Sequence, residues 1–323
     1  MLRPLILILG LGTGVAQADV PAAVQDHILP SHAAFAAATA SLAEATTDSC
    51  ALDRVGPAYQ AAYDAWMGVQ HIRLGPVEID GRGLAIAFWP DPKASGLRAQ
   101  QVLLDADPTT LTPDNMMQQS VAARGLTGLE RLLYPTEPWP VDTCPLLRAT
   151  TDDLARMAAD LDREWRTGFG PLVLTAGQPG NTRFLSEVEA RQALFTQIVT
   201  GLDFIRDQRL GRPLGSFDRP APDRAEARAS GRSLRNIALS LSAIRQMAMA
   251  LVPDAARSLT ALDRATDLAR NLDDPLLAGV ATPQGRLRVE ILQQAVDAAR
   301  MAVVEEMGPA LDVTMGFNAM DGD

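Results

Sequence analysis

The sequence predicts an all-α fold of two four-helix-bundle-like lobes, with a long irregular segment at 76–112. Three observations predict it. Apolar residues recur at three- and four-residue spacing along most of the chain, the period of helices that bury one face. Aromatic residues are only 5% of the 323, and β-branched alternation is scarce. Four long helical segments precede a break at Gly177-Gln178-Pro179-Gly180, and four more follow it.

The first four helices are expected at about 20–45, 51–75, 113–134 and 146–168. Gly75-Pro76 is read as the end of the second, because proline cannot continue a helix. Thr112-Pro113-Asp114 reads as a helix start, with an N-cap, a proline in the first turn and an acid behind it. The segment 76–112 is rich in Gly, Pro and Asp, and loops of that length are often functional. The second four are expected at about 186–210, 224–251, 254–273 and 284–307. Ser186-Glu187-Val188-Glu189 has the pattern of a capping box. Val188, Phe195, Ile198, Leu202 and Ile205 form one apolar stripe. Leu234, Ile237, Leu241 and Ile244 form another, at bundle spacing.

The opening residues read as a secretory leader, with Arg3 followed by an apolar run from Leu5 to Leu11. Ala16-Gln17-Ala18 fits the small-x-small rule, so cleavage is expected after Ala18. An uncleaved N-terminal anchor is the alternative. Later segments are too short or too charged to span a bilayer, which takes about 20 apolar residues. The expected organisation is a leader at 1–18, an N-terminal lobe at 19–177 and a C-terminal lobe at 178–323.

Formal net charge is −10, which argues against a nucleic-acid partner. Lys93 is the only lysine, so almost no amine is available for Schiff-base chemistry. The two cysteines, Cys50 and Cys144, stand just before the second and fourth helices. Those helices start at the same end of an up-and-down bundle. In an oxidising compartment a disulfide is the simplest reading, with two buried thiols as the alternative.

Motifs for zinc hydrolysis, phosphate cradling and serine nucleophiles are missing. His27 and His32 lie five apart on one helix, which in α geometry puts them on different faces. Chemistry-bearing residues are denser from Trp66 onward: Trp66, His71, Arg73 and Glu78, then Trp89-Pro90-Asp91. The plain structural alternative is a helix stop followed by an apolar lid. In the third helix Glu130 falls about 40° from the centre of the stripe Ala122, Leu126, Leu129 and Leu133. A carboxylate so placed must be paired, protonated or ligating, with its partner on another helix. Thr127 precedes it by one turn. Glu226, Arg228, Arg232 and Arg235 cluster around Ser230-Gly231, and two of these arginines can reach an acidic group in the first half.

Taken in order, several of these features resemble the imelysin-like family of exported bacterial proteins. They are Trp66 to Gly75-Pro76, Trp89-Pro90-Asp91, the Gly125–Glu130 helix, Arg212-Pro213-Leu214-Gly215, Ser230 to Asn236, and the ending Gly316 to Asp323. The resemblance implies a two-lobed helical fold, a periplasmic location and a site between the lobes. That site would comprise Trp66, His71, Arg73, Glu78, Trp89, Thr127, Glu130, Arg232 and Arg235. It also implies a Gly-x-His-x-x-Glu motif whose His and Glu are candidate metal ligands. Here Gly125 and Glu130 match, but Thr127 stands at the histidine position, so Glu130 alone carries over as a ligand for iron or another divalent metal. The resemblance points to an accessory or binding role in iron uptake, with periplasmic uptake proteins as partners. A metal-dependent peptidase using His71, Glu78 and Glu130 is the alternative, disfavoured by the missing histidine. A module binding protein or a small ligand is a third reading.

Overall fold

The computed structural model describes residues 18–313. The leader expected at 1–18 (apart from Ala18) and the tail from Gly316 to Asp323 lie outside these residues. Nine helices of nine or more residues are present among them. They are α1 Leu29–Asp48, α2 Leu52–Val69, α3 Ser95–Leu104, α4 Gly125–Leu133, α5 Cys144–Glu164, α6 Glu187–Asp203, α7 Ser233–Leu251, α8 Ala256–Arg270 and α9 Pro283–Ala302. Among the described residues there is no strand, only an isolated bridge between Ser216 and Arg219. The fold is all-α, as the spacing predicts.

α1 packs against α2 and α5, and α4 lies across α2 and α5. In the other half α7 packs on α8, α8 on α9, and α6 against α7 and α9. α2 also packs directly on α7, so apolar contact runs from one half into the other. Phe35, Tyr59, Tyr63, Trp165 and Phe195 are fully buried in this shared core. Each such side chain contributes on the order of 2 kcal/mol of burial. Cys50 and Cys144 form a disulfide, with Cα atoms 5.6 Å apart, tying the start of α2 to the start of α5.

Four helices carry π-turns, at Ala23–Ile28, Trp165–Phe169, Phe204–Leu210 and Val303–Met307. His27 and His32 are both buried, each with its own neighbour: His27 against His71 and His32 against Trp165.

Four boundaries differ from expectation. α2 ends at Val69, and His71 to Leu74 follow it in a non-helical link, so His71 is not a helical residue. Gly75 has φ +72°, and a Cβ there would meet the Phe169 ring at 2.7 Å. The 76–112 segment is not wholly irregular, because α3 lies within it. Asp91 accepts the Ser95 and Gly96 N–H groups at 2.9 and 2.7 Å and caps that helix. The helix expected over 113–134 breaks into Pro113–Met117, the turn Val121–Ala123 and α4. The helix expected from 224 starts at Ser233, because Ala227 and Gly231 adopt positive φ of 49° and 75°.

Candidate functional site

The motif helix α4 owes its position to Gly125. Its φ is +62°, and a Cβ would fall 2.1 Å from the Ala85 carbonyl oxygen and 2.3 Å from that of Ile86. Only glycine permits this approach. It brings Thr127 against the 82–89 segment, where Thr127 Oγ1 accepts the Phe88 N–H at 3.1 Å. A bidentate Arg124–Asp153 pair, 2.8 and 3.0 Å, fixes the start of α4 to α5. Arg131 donates to Gln100 Oε1 at 2.9 Å, and Gln100 donates to the Ala123 and Gly128 carbonyls.

Among the described residues Glu130 has no arginine partner. Its Oε1 accepts both the Ser230 N–H, at 2.9 Å, and the Ser230 hydroxyl, at 2.7 Å. The partner does come from the second half of the chain, but from the loop before α7 rather than from a helix. Burial raises the Glu130 pKa above the usual carboxylate value. The Ser230 hydrogen bonds and Arg131 oppose that shift, while Glu226 adds to it. The remaining open edge of Glu130 faces a cavity of about 340 Å³ shared with Arg131, Tyr134 and Trp139.

Arg232 and Arg235 do not reach Glu130. Both bind Asp64 of α2, Arg232 Nη2 at 2.5 Å and Arg235 Nε at 2.8 Å. From Arg232 a buried polar chain continues inward. Its Nε donates to Asn236 Oδ1 at 3.2 Å, and Asn236 donates to Glu226 Oε2 at 2.9 Å. Glu226 pairs with Arg209 at 2.7 Å, and Arg209 also donates to Ser240 and to Gln70 Oε1. Arg209 is 1% exposed and Glu226 4%, so neither charge has access to solvent.

Trp66, Arg73, Glu78 and Trp89 do converge. Together with Gln70 and Ala87 they line a cavity of about 290 Å³. A second cavity, of about 470 Å³, is lined by Gln70, His71, Arg73, Phe204, Arg209 and Arg300, among others. Arg73 and Gln70 border both. Arg73 is solvent-exposed, but its guanidinium lies over the Phe204 ring at 4.4 Å, and partial desolvation there together with nearby Arg209 lowers its pKa from the usual arginine value. Glu78 turns back to accept the Gly75 N–H at 2.8 Å. A roomier groove of about 630 Å³ between α8 and α9 shares none of these residues.

His71 is paired with His27, Nε2 to Nε2 at 3.3 Å, and its Nδ1 is buried without a partner. His32 bonds the Ile28 carbonyl and packs its ring on Trp165. Burial lowers the pKa of His27 and of His32 to about 4, and that of His71 well below its usual value.

The nine predicted residues therefore divide into three groups. Trp66, Arg73, Glu78 and Trp89 share one cavity, and His71 lines the adjoining one. Glu130 faces a different cavity, and Thr127 is spent on Phe88. Arg232 and Arg235 are spent on Asp64. Sequence reasoning missed Asp64, Ser230, Phe204, Arg209 and Arg212 as neighbours of these groups. The π-turn that presents Phe204 and Arg209 leaves no clear mark in the residue pattern.

The family-type metal site was tested against these donors. Thr127 offers a hydroxyl already engaged by a backbone N–H, and a hydroxyl is a poor ligand for transition metals. One oxygen of Glu130 is held by two donors. Among the described residues no three His, Cys, Asp or Glu side chains are grouped to hold an ion. The motif residues do not fit a bound metal.

Comparison with known proteins agrees with the fold. The imelysin family model matches residues 28–303. The iron-regulated protein A of Synechococcus elongatus is 23% identical, over 88% of this chain and 84% of its own. An imelysin-like protein from Psychrobacter arcticum superposes with a TM-score of 0.77 at 18% identity, covering 92% of this chain and 96% of that one. A Parabacteroides distasonis protein, described as a candidate iron-regulated protein A precursor, gives 0.68 at 12% identity, over 90% and 96%. With most of its length matched, the chain belongs to the imelysin family.

Proposed function

We propose that this protein is an exported, non-catalytic member of the imelysin family that serves iron handling as a binding component. The observation that carries the reading is the commitment of the motif helix. Thr127 holds Phe88, and Glu130 holds Ser230 across the two halves. A metal-assisted hydrolase needs a polarising ion and a positioned base beside one reacting atom. The residues of the peptidase alternative, His71, Glu78 and Glu130, line three different cavities.

Export is supported by the Cys50–Cys144 disulfide, which suits an oxidising compartment. The name precursor, carried by the Parabacteroides relative, agrees with it. The link to iron is supported by the names of two relatives. Among the described residues no helix is long and apolar enough to cross a membrane.

The test is twofold. Mature protein is incubated with an unfolded protein substrate, with and without chelator, and its abundance is followed in iron-replete and iron-starved cultures of the source organism. No chelator-sensitive cleavage and a rise on starvation are expected. Cleavage that chelator blocks and Glu130→Ala abolishes would overturn the reading, and so would an abundance indifferent to iron.

A further inference from the structure

Resting on the reading of the chain as a binding protein, we propose that the paired cavities on either side of Arg73 form an organic-anion site, taking a polycarboxylate either free or as its iron(III) chelate.

The site is built on two aromatic rings. Trp89 and Phe204 meet edge to face with centroids 6.1 Å apart. Three guanidinium groups lie over them: Arg73 and Arg209 at 4.4 and 5.1 Å from Phe204, and Arg212 at 5.8 Å from Trp89. Of the three, Arg209 alone has a carboxylate, Glu226. Arg73 makes no side-chain hydrogen bond and no ion pair among the described residues. Arg212 makes none either; it reaches the site only over the Trp89 ring and lines neither cavity, and its Nε is buried without a partner. The solvent-exposed Arg73 and the part-buried Arg212 thus flank one aromatic pair without a carboxylate partner, in a chain with 39 acidic residues and a net charge of −10.

The chemistry follows from the geometry of the group. A guanidinium whose face rests on a ring keeps its N–H edges free, and those edges match a carboxylate in bidentate fashion. Trp89 and Phe204 are both part-exposed, so the rings can also touch a carbon skeleton, which an inorganic anion lacks. Gln70 borders both cavities, and its Oε1 is taken by Arg209 at 3.1 Å, which leaves its amide nitrogen as a further donor. The cavities, about 290 and 470 Å³, lie at the size of small-ligand pockets. The acids around them are engaged elsewhere. Glu78 binds the Gly75 N–H, Asp203 pairs with Arg206 and Arg300, and Asp207 pairs with Arg206. A polycarboxylate wrapped around iron(III) presents an anionic surface, so such a site can take up iron without a single protein ligand to the metal.

The experiment is titration calorimetry on the mature full chain with citrate, the iron(III)–citrate complex, inorganic phosphate and iron(II) alone. The variants are Arg73→Gln, Arg212→Gln and the double change, with exposed Arg264→Gln as control and circular dichroism to verify folding. Stoichiometric binding of citrate or its iron complex is expected. Arg73→Gln should weaken it at least tenfold, Arg212→Gln should weaken it measurably but less, the double change should abolish it, and the control should leave it intact. Tighter binding of the complex identifies the chelate as the ligand, and equal or tighter binding of citrate identifies the free acid. Binding of neither, binding that survives the double change, or phosphate binding as tightly as citrate would overturn the proposal. A chain that fails here without cleaving protein loses only the ligand assignment. A chain that cleaves protein loses the binding reading itself.

Discussion

Thr127 Oγ1 accepts the Phe88 N–H at 3.1 Å. The position where the family motif carries a histidine, a candidate metal ligand, is here a structural tie, joining α4 to the segment that leads into Trp89. Thr127→Val keeps the shape and removes the acceptor. The Phe88 N–H then loses its partner in a part-buried setting, and the loss should be about 1–2 kcal/mol. Urea unfolding of both proteins measures it, and an unchanged midpoint would mean that water replaces the hydroxyl.

The Glu130–Ser230 contact gives a pH signature. Burial raises the Glu130 pKa in the folded protein, while the unfolded chain keeps the usual value. The folded state therefore binds the proton more tightly, and stability contributed by this group is lost as pH rises through the folded pKa. Ser230→Ala removes the hydroxyl donor but not the N–H. The Glu130 pKa should rise further and the loss of stability should move to higher pH. Carboxyl NMR titration of the two proteins reads this directly, and an unshifted Glu130 would refute its burial.

The histidines act in the opposite sense. His27 and His32 titrate at about 4 in the folded protein against 6.5 unfolded, and His71 is lowered as well. The unfolded state binds more protons below 6.5, so stability falls as pH drops from 6.5 toward 4. The slope is at most about 1.4 kcal/mol per pH unit for each histidine. The melting temperature followed across that window should fall, and His27→Phe should flatten the fall.

The Arg209–Glu226 pair is fully enclosed, so removing one charge strands the other. Glu226→Ala should cost about 3–5 kcal/mol. Asp64→Ala should cost less, because Asp64 and Arg235 reach solvent and the buried Arg232 keeps its hydrogen bonds to Gln60 and Asn236. Equal losses in the two variants, measured by chemical unfolding, would contradict this ordering.

Much of this was legible in the residues, because periodicity and cysteine placement report on helices and on their ends. The stripe along α7 follows from spacing, and that on α6 holds at Phe195, Ile198, Leu202 and Ile205 but not at Val188, which is exposed; the Cys50–Cys144 bridge follows from the helix order together with an expected oxidising compartment. The position of Glu130 near the core stripe signalled a buried carboxylate with a distant partner. What the spacing hid has definite physical causes. The burial of His27 and His32 comes from His71 and Trp165, which pack on them from distant parts of the chain. Positive φ at Ala227 and Gly231 turned the start of an apparent helix into the loop that delivers Ser230 to Glu130. Arg232 and Arg235 were rightly suspected of crossing to the first half, but the acid they meet is Asp64 on α2. The aromatic pair of Trp89 and Phe204 joins residues more than a hundred positions apart, and local pattern carries no record of it.

The Gly125–Glu130 helix ties the two halves together through Ser230, and its motif residues are not arranged to hold a metal. Titration of iron(II) and of zinc into the mature protein and into Glu130→Ala tests it most directly. The account predicts that neither metal shows stoichiometric binding that depends on Glu130. One equivalent bound by the wild-type chain and lost in Glu130→Ala would contradict it.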